Sequence, residues 1–259
     1  STTTESTASP GSEMNVQSTA GAAQARRKKK LDPAANPAKL KKIGQVATRK
    51  LNANPYVQHV DVEGAQVYVY QNFLPDADCD LLIARIDAEA VPSTLYEGTK
   101  QENFRTSYSC HLNGRDADVS RIENRIAEVL GLSNDFSETM QGQRYHIGQE
   151  FKPHHDFFHV GEGYWQQERH QGGQRSWTAM IFLNDVPDGG ETEFPQLGIG
   201  VTPRKGMMLM WNNMRPDGTP NMKTLHAGTP PRLGTKYIIT KWFRQNNWLK
   251  LAYANAEGQ

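Results

Sequence analysis

From about residue 137 onward the chain is written in short strands. Segments 140–147, 176–184, 191–194, 206–211 and 236–244 are separated by clusters of Gly, Pro, Asn and Asp. Trp177, Ala179, Ile181 and Leu183 recur at every second residue, as expected of a strand with one buried face. Strands this short cannot bury a face alone and must close on one another. The expectation is a mainly β fold with flanking helices (α+β), a sandwich or jelly-roll barrel behind an N-terminal helical buttress.

The helices come first. Pro37 suits the first turn of a helix, and Leu40, Ile43, Val46 and Leu51 recur at helical spacing over 37–52. A strand is expected around 66–73. Asp76 and Asp78 favour a second helix start, with Leu82, Ile83 and Ile86 as its apolar face. Val119, Ile122, Ile126, Val129 and Leu130 mark a third helix, which Gly131 ends. Residues 36–259 are read as one domain, 36–136 its helix-rich support and 137–248 its jelly-roll core.

Residues 1–35 are read as a disordered basic tail. Met14 is a candidate natural start, with 1–13 added ahead of it. Residues 1–50 hold ten Lys/Arg against three acidic residues, a net of +7, and the rest of the chain is −6. The run Arg26–Arg27–Lys28–Lys29–Lys30 is most simply a solvated segment, although such runs can touch nucleic acid or acidic partners. No stretch approaches the ~20 apolar residues of a membrane span, and the first thirty residues contain no export signal. Cys79 and Cys110 are accordingly read as free thiols, and the expected compartment is the cytoplasm.

Two His-x-Asp triplets occur, His59–Val60–Asp61 and His154–His155–Asp156. In an extended segment alternate residues face the same way, so His154 and Asp156 can point inward together. The first triplet lies in a connector and is read as surface. A third ligand must come from another strand, and His226 fits. Two histidines and one carboxylate can hold one face of an octahedral iron(II), leaving three positions open. Ten residues on stands Lys236, either a surface lysine or, if inward, the counter-charge for an anionic ligand. Segment 227–235 is rich in turn residues. A hairpin centred near Pro231 would set His226 and Lys236 on neighbouring antiparallel strands. His111, His146, His159 and His170 are read as structural or surface residues, and Met208 and Met210 as core.

Taken together these residues resemble the prolyl 4-hydroxylase branch of the iron(II)/2-oxoglutarate-dependent dioxygenases. The resemblance runs from Gln71 to Trp242. It includes Asn72–Phe73–Leu74, Arg105–Thr106–Ser107, Tyr145–His146–Ile147–Gly148–Gln149, Pro153–His154–His155–Asp156, Gly189–Gly190–Glu191–Thr192, His226–Ala227–Gly228 and Gly234–Thr235–Lys236–Tyr237. It implies a double-stranded β-helix core with iron(II) on His154, Asp156 and His226. Lys236 would hold the distal carboxylate of 2-oxoglutarate, with Thr192 and Tyr145 as hydrogen-bond partners. Arg175 and Trp242 would line the substrate groove, and residues 158–175 read as a mobile flap over it. The implied reaction consumes O2 and 2-oxoglutarate, releases succinate and CO2, and hydroxylates an unactivated C–H bond, with ascorbate as reductant. Related halogenases lack the carboxylate that Asp156 supplies.

The substrate the resemblance implies is proline in a peptide or protein. Relatives acting on proline-rich peptides often carry tyrosine where Phe151 stands, which keeps a free amino acid or other small molecule open. A non-catalytic peptide-binding module is the alternative from another class. Nucleic acid is disfavoured, because the repair relatives use arginine rather than lysine for the co-substrate carboxylate. Oligomeric state is not legible.

Overall fold

The computed structural model describes residues 30–93 and 104–249. The chain divides into a unit of residues 1–30 and a unit of residues 31–259, and every element named here lies in the second. The tail reading therefore falls outside the described residues up to position 29, as do Met14 and most of the basic run. From Asp32 the backbone is built into the fold, with a 3-10 turn at Pro33–Ala35.

Helix α1 (Pro37–Ala53) starts where its cap dictates: Asn36 Oδ1 accepts from the amides of Ala38 at 2.9 Å and Lys39 at 3.3 Å. Helix α2 (Asp76–Glu89) carries Asp76 and Asp78 at its positive end. Helix α3 (Ala117–Leu130) is capped by Asp116 and ends on Gly131 at φ +67°, a conformation cheap only for glycine. Leu51, Leu82, Ile86, Ile122 and Leu130 from these helices are fully buried.

They pack on one face of an eight-stranded antiparallel sheet. Its order is β1 (Val57–His59), β2 (Val67–Tyr70), β11 (Met208–Asn212), β7 (Arg175–Phe182), β14 (Lys236–Arg244), β5 (Gln141–Tyr145), β4 (Tyr108–His111) and β3 (Val91–Pro92). A four-stranded sheet of β10 (Ile199–Val201), β9 (Thr192–Phe194), β12 (His226–Gly228) and β6 (Phe151–His154) covers part of the other face. A two-stranded ribbon pairs β13 (Pro231–Leu233) with β8 (Asp188–Gly189). This is the expected mainly β jelly-roll with a helical buttress.

Two expectations change. Strand β7 has no solvent face: Trp177, Ala179 and Ile181 pack with the helices, while Thr178, Met180 and Phe182 are buried on the opposite side. A strand between a helical layer and a second sheet is buried on both faces, so its alternation marks two cores. Nor do His226 and Lys236 share a hairpin. Strand β12 lies between β9 and β6, whereas β14 lies between β7 and β5 in the large sheet. Pro230 and Pro231 remove ladder donors and Gly234 sits at φ +85°, so the chain crosses from one sheet to the other through β13. His226 and Lys236 reach the same cavity from opposite sheets.

Candidate active site

In the antiparallel ladder of β6 and β12, His154 stands directly opposite His226, with ring centroids 4.4 Å apart. The backbone bends just after β6 and brings Asp156 to the same point. Its Oδ1 lies 3.1 Å from His226 Nε2 and 3.5 Å from His154 Nε2. The three ligand atoms lie within 4.8 Å of one another, and no other such group occurs among the described residues.

Each ligand is aimed from behind. His154 Nδ1 donates to the Lys152 carbonyl at 2.7 Å and His226 Nδ1 to the Thr224 carbonyl at 2.8 Å, which leaves both Nε2 lone pairs pointing at the shared space. Asp156 Oδ2 accepts from Thr178 Oγ1 at 2.8 Å and Trp242 Nε1 at 3.0 Å. Its Oδ1 is thereby turned to the histidines as a single ligand atom. Phe151 stacks on the His154 ring at 3.6 Å between centroids. The donor set and its orientation fit iron(II).

The electrostatics suit a cation. Burial opposes ionisation of Asp156, but the charge of His226 and the imidazole contacts outweigh it and hold the carboxyl well below the usual range. Burial and the neighbouring His226 push His154 down to about 4, so it is neutral and free to ligate. Burial also disfavours charge on His226, yet Asp156 raises it above its ordinary value.

Behind the triad a narrow cavity is walled by Tyr145, Met180, Thr192, Ile238 and Thr240, with Lys236 among them. Lys236 is 1% exposed. Among the described residues its Nζ has no hydrogen-bond or ion-pair partner, only the rings of Tyr145 at 5.2 Å and Phe182 at 5.6 Å. Burial pulls its pKa down to about 7. The charge of Glu191 opposes this only partly, so an ammonium there is stabilised by an anion brought beside it. In front, a wider groove lies along Phe104, Phe158, His159, Tyr164, Arg175 and Trp242. His154, Asp156, Phe151 and Trp242 border both spaces, so these four residues form the partition, while His226 faces the inner cavity alone.

A family model described as the 2OG-Fe(II) oxygenase superfamily matches residues 140–244, which contain all of these ligands. Probable prolyl 4-hydroxylase 3 of Arabidopsis thaliana is 35% identical over 201 residues, covering 68% of this chain and 68% of its own length. Prolyl 4-hydroxylase 5 of the same plant is 33% identical, covering 74% of this chain and 72% of its own. The chain belongs to the prolyl 4-hydroxylase family. Among solved structures, the 2OG complex of the viral collagen prolyl hydroxylase of Paramecium Bursaria Chlorella virus-1 has a TM-score of 0.53 at 26% identity. The match covers 75% of this chain and 98% of that one. As a prolyl 4-hydroxylase-like dioxygenase, the protein uses iron(II) as cofactor and 2-oxoglutarate as co-substrate.

Within this hydroxylase fold, Lys236 and Tyr145 are cross-strand partners on β14 and β5, and Thr192 reaches the same cavity from β9. Thr192 Oγ1 donates to the Met180 sulfur at 3.7 Å. Arg175 borders the groove, but its charge is already engaged. Its guanidinium forks onto Glu138 at 2.6 and 2.8 Å and stacks on Trp242 at 4.3 Å. It is a wall held in place by Glu138. Trp242 both borders the groove and anchors Asp156. The flap expected over 158–175 is tied down along its second half. Helix α4 (Trp165–Glu168) buries Trp165, and Arg244 Nη1 donates to the carbonyls of Gln171 at 3.2 Å and Gly173 at 2.8 Å. His59 and Asp61 are exposed, as read from the sequence.

Thr178, Glu138 and Thr240 were not legible as site residues. Period two along β7 and β14 is the one signal that could have found two of them: Thr178 shares a face with Met180, and Thr240 with Lys236 and Trp242. Glu138 precedes its strand and carries no such mark.

Proposed function

We propose that this dioxygenase hydroxylates proline in a peptide or protein. The observation that carries the reading is the open, aromatic-walled groove running past the triad on the side away from Lys236. A cavity closed on a buried cation suits a small dicarboxylate. An open groove faced with Phe104, Phe158, Tyr164 and Trp242 suits an extended chain bearing an apolar ring. The relatives that bear the name prolyl 4-hydroxylase support the same substrate class.

His154 Nε2, His226 Nε2 and Asp156 Oδ1 would hold the iron. Iron(II) with 2-oxoglutarate and oxygen supplies the oxidising power, so that the substrate carbon gains a hydroxyl while succinate and CO2 leave. The chain's own residues orient and exclude. Lys236 would grip the far carboxylate through a charge-assisted contact, with Tyr145 and Thr192 flanking it. Met180, Ile238 and Phe151 keep water from the inner cavity. Thr178 and Trp242 hold Asp156 in one rotamer, and Arg175 fixes the indole plane against which the groove is formed.

The test is succinate release by the purified protein with iron(II), 2-oxoglutarate and ascorbate, with and without a proline-rich peptide. Peptide-stimulated release, with one oxygen added on proline, is the expected result. Release indifferent to every proline peptide but stimulated by a free amino acid would overturn it. A cytoplasmic location belongs to the same reading and is supported by Cys79 and Cys110, both free and buried. Recovery of the intact protein in a membrane or exported fraction would refute that part.

A further inference from the structure

The N-terminal side of α1 clasps the groove wall. Asp32 reaches across to residues more than 130 positions away: its carboxylate accepts from Trp165 Nε1 at 2.9 Å and from Arg169 Nε and Nη2, each at 3.0 Å. It also accepts from the Ala34 amide at 2.9 Å, which sets the 3-10 turn. The turn is docked in its own right. The Ala34 carbonyl accepts from the Gln174 amide at 2.8 Å, and Gln245 Nε2 donates to the Pro33 carbonyl at 2.9 Å. Gly173 stands at φ +71°, and a Cβ there would sit 2.4 Å from the Ala34 carbonyl oxygen, so the close approach requires glycine.

What the clasp holds is the segment facing the groove. Gln174 closes its base, accepting from the Phe158 amide at 2.7 Å and donating to the Phe158 carbonyl at 2.9 Å. Between those ends, Phe158, His159, Glu162, Tyr164 and Glu168 line the groove. Trp165 and Arg169, the two residues Asp32 grips, lie on α4 and its C-terminal cap behind that wall. Asp32 lines neither the groove nor the inner cavity.

We propose that Asp32 is a positioning residue for the peptide substrate: it fixes α4 so that Phe158 and Tyr164 stand at the distance the groove needs. Losing one carboxylate that takes three side-chain donors loosens α4 on the Asp32 side, while Arg244 still holds Glu168, Gln171 and Gly173. For its kinetic arm the proposal rests on the proline-peptide reading; its structural arm does not.

Asp32→Asn keeps the side-chain size and removes the charge. Hydrogen–deuterium exchange by mass spectrometry is measured on the full chain, comparing 158–174 with 236–244. Alongside it, KM and kcat are measured for a proline-rich peptide, together with peptide-independent succinate release. The expected result is roughly tenfold faster exchange confined to 158–174 and a roughly tenfold higher peptide KM. Peptide kcat and peptide-independent release stay as in the unsubstituted chain, and Asp32→Glu, which keeps the charge, moves both changed values back. Unaltered exchange overturns the proposal. So does faster exchange with an unaltered peptide KM, or a uniform loss of all activities, which marks a merely structural residue. If no proline peptide stimulates the unsubstituted protein, the proline reading fails, and the exchange comparison decides the clasp alone.

Discussion

The indole of Trp242 donates to Oδ2 of Asp156 at 3.0 Å, joining the large sheet to the residue that completes the ligand triad. Together with Thr178, it leaves the carboxylate one free oxygen. Trp242→Phe keeps the ring and removes the donor. Iron(II) affinity is expected to fall roughly 10–100-fold, the usual cost of losing a partner behind a metal ligand. Anaerobic metal titration checks this, and an unchanged dissociation constant would show that Thr178 alone suffices.

Lys236, the proposed counter-charge for the co-substrate, is buried at a cost to the fold. Lys236→Met should weaken 2-oxoglutarate binding by roughly 10²–10⁴-fold, as expected when a buried charge pair loses one partner worth ~3–5 kcal/mol. The same substitution should raise the melting temperature of the ligand-free protein. Burial lowers the folded-state pKa from its ordinary 10.5 to about 7, so the unfolded chain binds this proton more tightly. The penalty is complete below about pH 7 and fades as pH rises toward 10.5. The gain from methionine should follow the same course, and thermal melts at pH 6.5 and 9.5 measure it.

A proton should accompany the co-substrate. Above pH 7 the empty site holds Lys236 largely neutral, and a carboxylate beside it restores the ammonium. Binding of 2-oxoglutarate to the metal-loaded protein at pH 8 is expected to take up close to one proton, and affinity to fall as pH rises further. Calorimetry in buffers of different ionisation enthalpy reads the number directly. Zero uptake would mean that Lys236 is already charged.

Glu138 lies between two guanidinium groups, accepting from Arg175 Nε at 2.6 Å and Arg244 Nε at 2.7 Å. Burial alone would raise its pKa, but the two arginines outweigh that and hold it at about 2. Its contribution to stability is therefore present above the ordinary 4.5 and lost as pH falls toward 2. Glu138→Gln leaves Arg175 against a neutral amide, while Arg244 keeps Glu168, and should destabilise the fold by ~3–5 kcal/mol at neutral pH. Denaturant unfolding checks the size, and the difference from the unsubstituted protein should shrink in acid.

Much of the molecule was legible in the residue order because its causes are local. Pro37 and Gly131 mark helix ends through backbone geometry that operates within a few residues. The short apolar segments between turn clusters announce strands, and the ligand types His154, Asp156 and His226 with Lys236 announce the chemistry. Which strands become neighbours is a different matter. Turn residues between His226 and Lys236 are compatible with a hairpin or with a crossover, and only the competing partners β6 and β8 decide for the crossover. Arg175 reads as a groove-lining residue, and only the structure shows its charge engaged by Glu138; residues 31–35 read as tail until Asp32 meets Arg169. Sequence determined the elements and the donor set, since these follow from propensity and functional-group chemistry. Tertiary structure decided the pairing, the orientation of each ligand and the charge left for a substrate, because those depend on contacts between residues far apart in the chain.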